Sequence, residues 1–338
     1  MTDFVNEQVS DNRAPKSATA EGAGTDDRFG PPAHLAGNPI VQRIFQLKRE
    51  LKAVILAHNY TLPEVQDIGD FVADSLELAR TAAATDAEVI VFAGVTFMGE
   101  TAKILSPDKQ VLMPTVEARC PMADEVRAPQ VAALKKEYPR AAVVAYVNTL
   151  AEVKAISDIC CTSANAIQVV NSLDSDEVLF VPDRSLGEYV QRFTGKKLHF
   201  AAGYCPTHHR VFADDIRKMK RQYPQAAVLV HPECTPDVID LADRVGSTSG
   251  IMRFVREMSG ERDAFIIGTE VGLLHRLERE HPGKTFILPG PLVTCPTMKR
   301  NTLARVLEVM EKRAPEITLP EDIRKRAFDA VQRMLEVG

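Results

Sequence analysis

The 338-residue sequence has no apolar run approaching the ~18 residues that a membrane-spanning helix requires. Its amino-terminal stretch lacks a basic start followed by an apolar core, so no secretory signal is expected. There is no basic excess: 41 Lys and Arg stand against 46 Asp and Glu, interspersed, for a net charge of −5. That balance excludes the positive footprint of a nucleic-acid binder. Six cysteines are present, yet no CxxC pair occurs, so the short paired spacing of a structural zinc clip is missing. In a chain of this size without a secretory signal, the cysteines are expected as reduced thiols with metal or catalytic roles, in a cytoplasmic setting. With 45% hydrophobic residues the chain can bury two or three sizeable cores.

What is present is a stretch that occurs three times. Tyr138–Ser163 and Tyr223–Thr248 align without a gap at an offset of 85, sharing Tyr-Pro, an Ala-Ala-Val strand start, Val153/Val238 and a final hydroxyl. Lys52–Ser75 aligns with the first of these at an offset of 88. Each copy continues with an apolar run (Val89–Phe92, Val178–Val181, Phe265–Ile267) and a glycine expected to open an amphipathic helix (Gly99, Gly187, Gly272). A polar turn follows, then a last strand leading to Cys120, Cys205 or Cys295, each followed by proline. Internal repeats outrank other fold signals. Apolar runs alternating with helical patterns imply mainly parallel sheets covered on both faces. The expected fold is α/β: three αβα sandwich domains related by a pseudo-threefold axis around a central site.

The boundaries follow the repeat. Residues 1–36 are polar and aperiodic and are expected as a disordered leader without a catalytic role. Units are expected over 37–125, 126–210 and 211–298, with helices over 299–338 closing the third unit and returning over the first.

Groups beyond the carboxyl ends of parallel strands are where ligands collect. His58, Tyr146 and His231 occupy one such repeat position; Tyr60, Asn148 and Glu233 a second; Ser75, Ser163 and Thr248 a third. A lone histidine there is as often a satisfied core residue, but nine hydrogen-bonding groups in threefold register argue for one cavity. Capping is the plain alternative for the hydroxyls, although a helix N-terminus beside a hydroxyl also suits a carboxylate or phosphate. Three cysteines converging on the same axis can hold zinc, with His208 as a fourth ligand, or a cubane iron–sulfur cluster with one iron lacking a protein ligand. The absent short spacings favour the cluster. Cys160 and Cys161 read as small buried hydrophobes, and Cys234 as a wall of the cavity without being a ligand. The open classes are an enzyme that binds substrate at the open iron of a cluster, such as a hydro-lyase, and a zinc-stabilised binding protein.

These residues resemble the quinolinate synthase family. The resemblance rests on Ala57-His58-Asn59-Tyr60, Asp74-Ser75-Leu76-Glu77, Gly94 with Phe97-Met98-Gly99-Glu100, Cys120-Pro121-Met122-Ala123, Tyr146-Val147-Asn148, Cys161-Thr162-Ser163, Pro182-Asp183 with Leu186-Gly187, Cys205-Pro206 with His208, His231-Pro232-Glu233-Cys234, Gly246-Ser247-Thr248, and Lys299 with Asn301-Thr302-Leu303. It covers the chain from about Ile40 onward.

The resemblance implies condensation of iminoaspartate with dihydroxyacetone phosphate to quinolinate, losing phosphate and two waters, within NAD biosynthesis. It implies a 4Fe-4S cluster on Cys120, Cys205 and Cys295 whose open iron acts as a Lewis acid. Tyr60, His58 and Glu233 are implied as catalytic, Glu233 with a carboxyl raised by burial. His58, Ser75, Tyr146, Asn148, Ser163, His231, Glu233, Ser247 and Thr248 are implied in substrate binding. The implied partners are these small molecules and a transient contact with an L-aspartate oxidase. Some members carry a CxxC around the third ligand; here Leu292 and Met298 stand at those places, which puts thiol switching there in doubt.

Overall fold

The structure, a computed structural model, describes residues 30–337. Most of the expected leader, residues 1–29, lies outside the described residues. In the first unit, β1 (Ala53–His58), β2 (Phe71–Ala73), β3 (Val89–Ala93) and β4 (Gln110–Leu112) form a parallel sheet in the order β2-β1-β3-β4. The second unit repeats this order with β5 (Ala142–Tyr146), β6 (Ile159–Cys161), β7 (Glu177–Val181) and β8 (Lys197–Phe200). The third repeats it with β9 (Ala227–Val230), β10 (Arg244–Val245), β11 (Ala264–Gly268) and β12 (Thr285–Ile287). Helices flank all three sheets, and the expected architecture of three αβα units holds.

The strands read as unbroken apolar runs because both sheet faces are buried. In β1 and β3, Val54, Leu56, Ile90 and Phe92 face one core while Ile55, Val89 and Val91 face another. β9 and β11 divide likewise, with Leu229 and Phe265 facing one side and Val228 and Ile266 the other. One face of the first and third sheets thus joins the second unit in a common core.

An aspartate recurs before each second strand. Asp70 Oδ2 accepts from Ile55 N at 2.7 Å, Asp158 Oδ2 from Val143 N at 2.7 Å, and Asp243 Oδ2 from Val228 N at 2.8 Å. The backbone nitrogen of each aspartate donates to the carbonyl of the same strand residue, at 2.9, 2.9 and 2.8 Å. The clip satisfies the first strand where the short edge strand has not yet begun.

The repeat glycines sit differently from expectation. Gly272 opens its helix, Gly272–Glu280, but Gly99 and Gly187 lie inside helices Thr96–Leu105 and Arg184–Gln191. Their role is close approach to the fourth strand: a Cβ on Gly187 would come within 2.7 Å of the Phe200 ring, and one on Gly99 within 2.4 Å of the Met113 sulfur.

The carboxyl-terminal helices lie over the first two units. Helix Leu303–Lys312 packs with helix Pro39–Glu50 over the outer face of the first sheet. Helix Glu321–Val337 packs against β6 and helices Ala151–Lys154 and Thr96–Leu105.

Candidate active site

The carboxyl ends of the three sheets face a cavity of about 260 Å³. Each unit contributes four of the residues singled out from sequence: His58, Tyr60, Ser75 and Cys120; Tyr146, Asn148, Ser163 and Cys205; His231, Glu233, Thr248 and Cys295. Two of the residues singled out from sequence lie outside that lining. Ser247 does not line the cavity: it caps helix Thr248–Met258, its Oγ accepting from Gly250 N and donating to Asp74 Oδ2, both at 3.2 Å. Cys234 turns away into the outer core of the third sheet, its Sγ 3.4 Å from Gly268 O. Cys160 and Cys161 are fully buried, as expected.

In the first and third units the helix N-termini at the site are capped by side chains. Asp74 caps helix Ser75–Ala84, its Oδ1 accepting from Leu76 N and Glu77 N at 3.1 Å each. The hydroxyls one residue later, Ser75 and Thr248, are thereby left to face the cavity. The units meet in rotation. His231 Nε2 lies 3.2 Å from Ser163 Oγ, joining the third unit to the second, and Asn59 Nδ2 donates to Thr248 Oγ1 at 2.8 Å, joining the first to the third. Val147 and Ser75 line one small void, joining the second to the first. Each time, a residue after a first strand meets the hydroxyl-bearing turn of a neighbour.

Electrostatically the site centres on Glu233, which is 3% exposed. Burial alone would raise its carboxyl, the direction expected from sequence. His208 Nδ1 at 2.7 Å, then His231 and Tyr146, outweigh that and hold it down to about 2. Glu233 is therefore ionised. The raised carboxyl is its neighbour Asp183, pushed up first by burial and then by the Glu233 charge, so the pair carries one negative charge. Burial lowers His58 and His231 each to about 3, leaving them neutral. Burial also raises Tyr60 and Tyr146, which stay protonated as donors. Tyr60 OH lies 2.5 Å from Thr269 Oγ1 and 3.4 Å from His208 Nε2.

The three cysteine loops share one geometry. The nitrogen four residues on bonds back to the cysteine carbonyl: Asp124 to Cys120 at 3.0 Å, His209 to Cys205 at 3.0 Å, and Lys299 to Cys295 at 3.3 Å. None of the three sulfurs is in a disulfide, and all three line the cavity. They sense each other: Cys295 contributes to raising Cys120, which burial first pushes up to about 12, and Cys120 contributes to raising Cys205. Three thiols around one cavity, with polar groups opposite, fit a cluster held on three sides and open on the fourth. Cys205, His208 and Glu233 also offer ligand atoms within 4.8 Å of one another, a spacing suited to one metal ion.

Several lining residues escaped sequence reasoning. Thr207 and Thr297 follow the Cys-Pro pairs of the second and third units, and the repeated Cys-Pro-Thr was the available signal. Glu270 had none. It is fully buried, accepting from Cys295 N at 2.9 Å and pairing with Lys299, whose Nζ donates to Tyr60 O at 2.7 Å.

Residues 42–336 match the family described as Quinolinate synthetase A protein. The quinolinate synthase of Methanoregula boonei is 54% identical over 294 residues, covering 87% of this chain and 97% of that protein. That of Desulforudis audaxviator is 52% identical over 297 residues, covering 88% and 97%. That of Dehalococcoides mccartyi is 52% identical over 298 residues, covering 88% and 98%. With the matched segment spanning all three units and every cavity-lining residue named above, the chain belongs to the quinolinate synthase family.

Proposed function

We propose that the chain condenses iminoaspartate with dihydroxyacetone phosphate to give quinolinate, releasing phosphate and two waters, as a step of NAD biosynthesis. The observation that carries this reading is the convergence, on one cavity, of three hydrogen-bonding side chains and one thiol from each unit. Cys120, Cys205 and Cys295 would hold a 4Fe-4S cluster, whose open iron would supply Lewis-acid assistance to the loss of water.

The chain's own groups divide the remaining work. Ser75, Ser163, Thr248 and neutral His231 offer hydrogen bonds to a dicarboxylate. Asn148 brings a buried Oδ1 without a hydrogen-bond partner, an acceptor matched to an imine or amine N–H. Glu233, ionised and hydrogen-bonded, serves as the general base rather than the acid. Tyr60 and Tyr146 keep their protons and donate them to oxygens that gain charge. His58, neutral, can accept or return a proton beside Tyr60. Among the described residues no helix is long and apolar enough to cross a membrane. A cytoplasmic setting and a transient contact with an L-aspartate oxidase, delivering an imine prone to hydrolysis, belong to this reading.

Anaerobic reconstitution with iron and sulfide, followed by assay for quinolinate from the two substrates, tests it. A brown protein that makes quinolinate is expected; a brown protein that makes none overturns the reaction. A second reading rests on the Cys205–His208–Glu233 spacing, which suits a single ion. A colourless protein holding one zinc per chain would favour it.

A further inference from the structure

We propose that Arg210 binds the phosphate of the triose phosphate at the mouth of the cavity. This rests on the condensation proposed above and assigns the end of the site from which phosphate leaves. Arg210 is the one lining residue with a fixed positive charge; the ionisable acids beside it in the lining are Asp74 and Glu233. It is exposed while lining the cavity, so it stands where the cavity opens to solvent. Among the described residues its side chain has no hydrogen bond or ion pair.

The repeat supplies an internal comparison. Cys205-Pro206-Thr207-His208-His209-Arg210 corresponds to Cys295-Pro296-Thr297-Met298-Lys299-Arg300, and both segments end in a short 3-10 turn. In the third unit the arginine is committed: Arg300 pairs with Glu117 Oε2 at 2.6 Å. In the second unit the same backbone leaves the guanidinium open over the cavity. A phosphate monoester carries about −1.5 to −2 at pH 7. The deep end of the cavity offers buried hydroxyls, which suit the less demanding carboxylates, and no cation for such a charge. At the mouth, the planar guanidinium can grip two phosphate oxygens at once. The iminoaspartate carbon, its proton taken by Glu233, supplies the electron pair of the new C–C bond as the C–O bond to phosphate breaks; the phosphate oxygen keeps the C–O pair, and the ion departs into water without crossing the cavity.

The test compares Arg210→Gln, Arg210→Lys and Arg300→Gln as reconstituted holoenzymes. Losing a charge-assisted pair is expected to raise KM for dihydroxyacetone phosphate by about 10- to 100-fold in Arg210→Gln. Inhibition by inorganic phosphate should weaken in parallel, KM for iminoaspartate should stay within about twofold, and Arg210→Lys should fall between. Arg300→Gln should leave both KM values near wild type. An unchanged triose-phosphate KM in Arg210→Gln, or equal rises for both substrates, overturns the assignment while the wild type still makes quinolinate. If the wild type makes none, it is the reaction itself that fails.

Discussion

Glu233 takes its ionisation state mainly from a side chain that reaches it from another unit. His208 at 2.7 Å, with His231 and Tyr146, decides a competition that burial alone would settle the other way. Replacing it with glutamine keeps the shape and removes the base, so kcat for quinolinate formation should fall by about 10²–10⁴ with far-ultraviolet circular dichroism unchanged. A loss below tenfold would remove Glu233 from the catalytic set. The buried histidines predict a pH dependence of stability. Burial, the main cause, lowers His58 and His231 to about 3 in the folded chain, against about 6.5 for an ordinary histidine. Between those values the unfolded chain binds more protons, so stability is lost as pH falls below about 6.5, by up to about 1.4 kcal/mol per unit for each histidine. Urea midpoints from pH 7.5 to 5 should drop more steeply in the metal-free wild type than in a His58→Gln/His231→Gln variant. Equal slopes would place the protons elsewhere. The identities of the site residues were legible because the repeat supplied each position three times. Their charge states were not, since the deciding distances join residues remote in sequence.

At the level of strand and turn, the aspartate clip is the most reusable device in the molecule. Asp70 holds Ile55 N at 2.7 Å and Lys48 Nζ at 2.6 Å, and Lys48 is only 9% exposed. Asp70→Ala would strand both donors and should cost about 2–4 kcal/mol in chemical unfolding. Asp70→Asn, which keeps an acceptor, should cost less than half as much; equal losses would mean that the charge alone matters. This clip lay within the aligned repeat, yet an aspartate before a short strand has no distinctive pattern. The strands themselves were legible, since residues buried on both faces give unbroken apolar runs such as Val89–Ala93. The glycines misled because periodicity marks where a helix runs but not which strand it must touch, and Phe200 and Met113 became visible only in three dimensions. Which residue of each turn caps its helix was equally hidden in the sequence. Aspartate and serine both cap well, and Asp74 and Ser247 took the caps while Ser75 and Thr248 faced inward.

For the molecule as a whole, closure is head-to-tail. Each unit presents a first-strand end to its neighbour's hydroxyl turn, the kind of unlike contact that forms a ring when the rotation closes. Cys120→Ser, Cys205→Ser and Cys295→Ser should therefore each abolish visible iron–sulfur absorbance and quinolinate formation, although they lie in different units. Cys160→Ser and Cys234→Ser should retain both, since Cys160 is buried in a strand core and Cys234 in the third sheet's outer core. Retention of the chromophore in any one of the first three would break the threefold assignment. That three loops each bring a single sulfur has a consequence for assembly. No two thiols of the set come from one unit, so a nascent chain with one or two sheets formed offers an incoming iron–sulfur group only a partial grip. On the proposed cluster assignment, the keystone can be seated only after the arch stands, and maturation would follow folding.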